Sequence, residues 1–242
     1  MGSNAMRHRQ QCPIGSNGCL PIQRKGYRWL YLRFLLFFQP SRIPWLLFLC
    51  FSMRTNLRLF DPRRGYTLGR SRLAFAIWYL FKRVFFLSSL PWPYALKALI
   101  LRAFGASVGP GLVMKPCVNI HIPWKLTVGC NVWVGEGVRI LNLAPVSIGS
   151  NVCISQESFL CAGGHDYRDE SFSYRNAPIF IGDGAWIQAR VFLGAGVSVG
   201  SEAVVKACSV VSGEVTCNTI VSGFPARLCG QRWDTQPSKS AS

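Results

Sequence analysis

From Val108 onward the chain repeats every six residues, a period that excludes most folds open to a chain of 242 residues. Ile181-Gly182, Ile187, Leu193-Gly194, Val199-Gly200, Val205 and Val211 fall in step, with Ile179, Ala185, Val191, Val197, Ala203 and Ser209 two positions before them. Val128-Gly129, Val134-Gly135 and Ile140 keep the same step, as do Ile148-Gly149, Ile154 and Leu160, and Val108-Gly109, Met114 and Ile120 form a weaker set. Between sets the step widens to eight, from 120 to 128 and from 140 to 148. A helix has a period of 3.6 and cannot produce sixes. An ordinary strand-and-turn protein would show alternation broken at irregular intervals. Period six means short strand, turn, short strand, turn, with one side chain in each unit pointing inward. Three units close a triangular coil, and stacked coils bury a column of aliphatic side chains. The expectation is a mainly β protein, a parallel β-helix of about five coils that start near 108, 128, 148, 181 and 199. The glycine after the aliphatic belongs where φ is positive or another backbone approaches closely.

The column is interrupted once. From Leu160 to Ile181 the step is 21 residues, and the polar, glycine-led segment 163–177 must leave the prism as a loop. Loops carried on a rigid scaffold are where function concentrates. Of only three histidines, His165 stands at the root of this loop. Neighbouring Asp166 either orients the imidazole or is simply solvated; adjacent side chains of an extended segment diverge, which favours the second.

The front of the chain is different. Residues 1–52 carry seven Lys/Arg and no acid, residues 53–102 ten against the single Asp61, and residues 103–242 ten against nine acids. This places nearly all of the +17 net charge ahead of the repeat. Residues 1–52 read as an uncertain leader or over-extended start, their apolar stretch broken by Arg33, Pro40, Arg42 and Pro44. Residues 53–105 form a basic, apolar helical segment. Ser71 caps a helix running to about Leu87, Pro91 and Pro93 break it, and Tyr94 to Phe104 make a second that Gly105 ends. Residues 54–104 either lie on a membrane surface with their cations on lipid phosphates or pack on the β-helix. Basic residues mixed with Phe, Leu and Trp, and no recognition motif, argue against nucleic acid. Ten scattered cysteines with no CxxC pair read as reduced packing thiols, and no metal is expected.

Ser89-Leu-Pro-Trp-Pro93, Pro123-Trp-Lys-Leu126 and Asn142-Leu-Ala-Pro-Val146, together with the hexapeptides, make the chain similar to the hexapeptide-repeat acyltransferases. Within them it most resembles the colanic-acid-type exopolysaccharide acetyltransferases. The resemblance implies a left-handed β-helix over 106–222 with a C-terminal tail at 223–242. It also implies acetyl transfer from acetyl-CoA to a sugar hydroxyl. The Leu-x-x-x-Gly-His pattern, Leu160 to His165, matches the family's catalytic histidine. An imidazole can take the proton from an attacking hydroxyl and return it to the departing thiol.

Asn142 and Trp186 match acceptor-side positions; alternatively Asn142 satisfies its own corner and Trp186 packs on the returning loop. Ala189, Ala207, Ser212 and Arg227 match positions along the coenzyme groove, with Arg227 available to a phosphate. Two departures are Lys206-Ala-Cys-Ser209 in place of Gly-Ala-Gly-Ser, and Gly213 where a base is usual; Lys206 is a candidate to supply that charge. The resemblance further implies a homotrimer, a sugar or lipid-linked oligosaccharide acceptor, and a cytoplasmic location, peripheral on the cytoplasmic face of the membrane if the front helices bind lipid. The competing reading is a non-catalytic β-helix scaffold or membrane-surface interaction protein. The three histidines do not suit the zinc site of carbonic anhydrases that share the repeat.

Overall fold

In the computed structural model residues 55–234 are described; the expected leader at 1–52 and residues 235–242 lie outside them. The described chain is a three-sided parallel β-prism. Its first coil is β1 (Ser107–Val108), β2 (Val113–Met114) and β3 (Asn119–Ile120), and its second is β4 (Leu126–Val128), β5 (Trp133–Val134) and β6 (Arg139–Leu141). The third is β7 (Val146–Ile148), β8 (Cys153–Ile154) and β9 (Phe159–Cys161), and the fourth β10 (Ile179–Ile181), β11 (Trp186–Ile187) and β12 (Phe192–Leu193). The fifth is β13 (Ser198–Val199), β14 (Val204–Val205) and β15 (Val210–Val211). A sixth coil begins with β16 (Glu214–Val215) and β17 (Thr219–Gly223). It escapes the six-residue count because the step from Val211 to Val215 is only four. Equivalent strands pair in parallel down each face: β1-β4-β7-β10-β13-β16, β2-β5-β8-β11-β14-β17 and β3-β6-β9-β12-β15. The residues after 223 are more than a tail, since β18 (Ala226–Gln231) folds back antiparallel on β17.

The residues counted in sixes fill the column. Met114, Val134, Ile154, Ile187 and Val205 stack inside one face and Ile120, Ile140, Leu160, Leu193 and Val211 inside another, all buried. Burying each such side chain stabilises the fold by about 1.5–3 kcal/mol. Six of the seven glycines that follow the aliphatics serve close approach, not unusual φ, and Gly194 alone has its nearest neighbour as far as 3.4 Å. A Cβ on Gly200 would lie 2.5 Å from the backbone nitrogen of Cys217, and one on Gly182 2.5 Å from that of Ser201. The left-handed turn positions fall elsewhere, at Asn131, Asn151, Gly184, Glu202 and Asn218 on one corner. The seven described cysteines are free, but none packs in the column; they are half-buried or exposed, at corners and outward positions.

Ahead of the prism lie helix α1 (Arg72–Phe81), continued by a π-helical turn over Lys82–Phe86, and helix α2 (Tyr94–Ala103). The Ser71 hydroxyl caps α1 by accepting from the Ala74 amide, as its position predicts. The helices pack on the prism through Trp78, Phe86, Ala98, Ile100 and Leu101. They also solve a problem inherent in stacked coils. Amides of the first coil donate upward to the second, as in Gly109 to Val128 and Lys115 to Val134, which leaves first-coil carbonyls without strand partners. One side chain serves each face. Arg102 donates to the carbonyls of Val108 and Gly109, Lys97 to those of Met114 and Lys115, and the Trp78 indole to those of Ile120 and His121. The three pairs are offset by the same six residues as the column. Lys97 is fully buried for this reason, and burial lowers its pKa. Residues 55–70, expected within the helical segment, hold only one 3₁₀ turn, Leu57–Leu59, and run across the 163–177 loop.

Candidate active site

The loop leaves after β9 and returns at β10 as an irregular hairpin. Paired amides and carbonyls hold it at Asp166–Ser173, Arg175–Gly164 and Ala177–Ala162. Asp169 organises its tip. Its carboxylate accepts from the amides of Ser171 and Ser173 and from the Ser171 hydroxyl at 2.6 Å, and these bonds hold it well below the usual carboxylate range. Asp166 accepts from the Arg168 amide, so it braces the turn and does not orient the imidazole.

His165 is partly buried, and its Nδ1 lies 2.7 Å from the carbonyl oxygen of Phe172. A carbonyl only accepts, so Nδ1 carries a proton, and in the neutral form of the ring the lone pair lies on Nε2. The ring stacks on Phe172 at 4.2 Å and on Tyr174 at 4.9 Å, while Phe60 closes its edge at 5.4 Å. Phe60 arrives from the segment ahead of α1, which is also anchored by Asn56 donating to the Glu170 carbonyl and by Gly65 accepting from Asn176. Tyr66 packs against Tyr174, and burial raises the phenol's pKa. The result is an imidazole held in one orientation inside an aromatic clasp.

The sequence singles out His165 but not the aromatics that pack around it. Phe172 and Tyr174 carried a signal, being two aromatics in an otherwise polar loop. Phe60 carried none, lying over a hundred residues away.

The other expected site residues separate. Asn142 is fully buried, its Oδ1 accepting from the Ile122 amide and its Nδ2 donating to the Ile122 carbonyl. The amide thus closes a corner between coils, and the placement at the acceptor surface is corrected: an acceptor does not meet a side chain enclosed in this way. Trp186 projects from β11, 41% exposed, its indole donating to Ser155 at 3.0 Å. It lies on a different face from the strand that launches the histidine loop. Ala189 and Ala207 stack on the corner that follows β11 and β14, where Lys206 is also exposed. Ser212 and Arg227 line a recess of about 290 Å³ at the open end of the prism. No cluster of metal-ligating residues occurs among the described residues.

The chain has counterparts among known proteins. The chain is 36% identical over 181 residues to the Escherichia coli protein named colanic acid biosynthesis acetyltransferase WcaF, spanning 75% of this chain and 99% of that one. It belongs to the colanic-acid-type hexapeptide-repeat acetyltransferases. No family model matches the sequence. Among solved structures, a hexapeptide-repeat acetyltransferase of Vibrio cholerae in complex with acetyl coenzyme A superposes with a TM-score of 0.57 at 26% identity, over 60% of this chain and 81% of that one. A galactoside acetyltransferase in complex with coenzyme A superposes with a TM-score of 0.61 at 24% identity, over 72% and 86%. The prism is the left-handed β-helix of the hexapeptide-repeat acetyltransferases, and the chain is an acetyltransferase of that family.

Proposed function

We propose that this chain transfers an acetyl group from acetyl-CoA directly to a sugar hydroxyl in exopolysaccharide biosynthesis, with His165 as general base. The observation that carries the reading is the 2.7 Å contact between Nδ1 and the Phe172 carbonyl, which leaves Nε2 as the acceptor. Nε2 takes the hydroxyl proton as the oxygen attacks the thioester carbon. The tetrahedral intermediate collapses, the C–S bond breaks, and the proton passes from Nε2 to the departing thiolate. No acyl-enzyme is required when both substrates are held together. Arg227 and Lys206 supply cations for coenzyme phosphates, and Ala189 and Ala207 give a small-residue corner along which pantetheine can lie.

The histidine loop leaves one corner, whereas Trp186, Ala189 and Ala207 lie on the β11 face and its following corner. A site using both sets is built between neighbouring copies, which supports a homotrimer. Leu73, Ile77, Leu80 and Val84 form an exposed apolar stripe on α1 and its continuation, beside Arg72 and Arg83. This supports peripheral contact with an anionic membrane, where a lipid-linked acceptor would be met. No helix among the described residues is long and apolar enough to cross a membrane. Incubating the full chain with acetyl-CoA and a panel of free and lipid-linked sugars, and following thiol release, tests the activity. A scaffold protein would release no thiol in any arm.

A further inference from the structure

Lys82 sits in the π-helical turn and is only 5% exposed. Its ammonium has no carboxylate and no hydrogen-bond acceptor among the described residues; its recorded contact is with the Tyr79 ring, 5.0 Å away. The stem is enclosed, but the ammonium tip is not, since no buried side-chain nitrogen or oxygen among the described residues lacks a partner; Trp78, Lys97 and Arg102 already cap the first coil, so Lys82 is not needed there. Lys82 instead opens into a pocket of about 200 Å³ that it shares with Asn119, His121, Arg139, Leu141 and Phe159. No acid lines this pocket. The Arg139 guanidinium is held over the Phe159 ring at 4.3 Å and enters no ion pair among the described residues. The His121 ring, packed edge-on against Phe75, likewise has no hydrogen-bond partner there. Burial together with Lys82 and Lys125 pushes the His121 pKa down, and burial together with Arg83 does the same to Lys82. The field inside the pocket is therefore positive and uncompensated.

The pocket also lies beside the histidine loop. Leu141 pairs with Cys161 across β6 and β9, and the chain leaves the prism after Ala162, whose amide still donates to the Leu141 carbonyl. His165 lies four residues beyond Cys161, so the Cα atoms of Cys161 and His165 are at most about 14 Å apart at full extension.

We infer that this pocket binds an acid group, phosphate or carboxylate, of the sugar acceptor, so that the substrate is an anionic glycoside. The assignment to the acceptor rests on the acetyl-transfer reading; the anion site itself does not. Lys82 and Arg139 grip the acid oxygens from two sides, and the Phe159 ring offers an apolar platform to a sugar face.

Calorimetric titration of the full chain in saturating coenzyme A, which occupies the coenzyme phosphate positions, with inorganic pyrophosphate and with D-glucuronate reads the site without any turnover. At least one of them binds, D-glucose does not, and Lys82→Met or Arg139→Gln weakens binding at least tenfold. Lys82→Met keeps the buried apolar stem and removes an ammonium that holds no hydrogen bond, so its melting temperature should not fall, which separates lost binding from lost fold. In the acetyl-transfer assay the bound anion competes with the acceptor and not with acetyl-CoA, and Lys82→Met raises the acceptor KM without moving that of acetyl-CoA. The relative response to phosphate-bearing and uronate acceptors identifies which acid the pocket takes. Absence of binding, or binding that survives both substitutions, overturns the site. Binding without competition overturns its assignment to the acceptor. Binding with no acetylation of any acceptor leaves the anion site standing and defeats the acetyl-transfer reading instead.

Discussion

The His165 imidazole lies parallel to the Phe172 ring, 7° from coplanar, while its Nδ1 meets the backbone carbonyl of the same residue. One residue therefore fixes both the plane of this imidazole and the nitrogen that carries its donated proton. His165→Ala should lower kcat by about 10²- to 10⁴-fold, the usual worth of a general base, with the KM for acetyl-CoA little changed. Full-rate transfer by that variant would remove the imidazole from the mechanism.

Phe60 closes the edge of the imidazole and of Tyr174. It packs on the imidazole edge, and on the general-base reading its role is positioning. Phe60→Ala should cost about tenfold or more in kcat through misplacement of His165, and Phe60→Tyr, which keeps the ring, should recover most of it. Equal loss in both variants would argue for a merely structural contact.

Asp169 holds the loop tip as an anion. Its folded pKa lies below the unfolded value of about 3.9, so its stabilising contribution is complete above that value and lost only as pH falls through the folded one. Amide exchange at Ser171 and Ser173 should stay slow, after correction for intrinsic rates, down to about pH 4 and quicken below it. In Asp169→Asn these amides should exchange faster already at pH 7.

Gly200 and Gly213 make a matched pair. A Cβ on Gly200 meets the stacked backbone at 2.5 Å, whereas Gly213 has nothing within 4 Å. Gly200→Ala should cost about 1–3 kcal/mol, as overpacking does; Gly213→Ala should stay within about 0.5 kcal/mol. Urea melts of the two variants provide the comparison.

Trp78→Phe keeps an aromatic ring and deletes the indole N–H that serves the carbonyls of Ile120 and His121. Leaving the buried Ile120 acceptor unpaired should cost about 1–3 kcal/mol, again read from urea melts. An unchanged midpoint would mean that water reaches that edge of the first coil.

The prism was legible because its core is periodic: each inward residue from Val108 to Val211 repeats one environment, and repetition leaves a mark in the sequence. The helix boundaries at Ser71, Pro91 and Gly105 were legible for a local reason, since caps and breakers act on their own neighbours. The glycine corners were half legible, as sequence marks where a side chain is unwelcome but not whether φ or a facing backbone forbids it. Asn142 shows the limit for single polar residues. An amide at a corner looks the same whether it faces a ligand or the Ile122 backbone. The clasp of Phe60 on His165 joins segments with no shared period, and only the folded chain brings them together.

The donors of Trp78, Lys97 and Arg102 at one end, and the turned-back β18 at the other, have a consequence for how many molecules can join. A stack of near-identical coils is a template that could continue into the next molecule, edge onto edge, without a natural stop. Three side chains occupy the starting edge, and a strand of reversed direction covers one face of the finishing edge. Growth along the prism axis is thereby discouraged, and association is left to the sides, where it can close on itself.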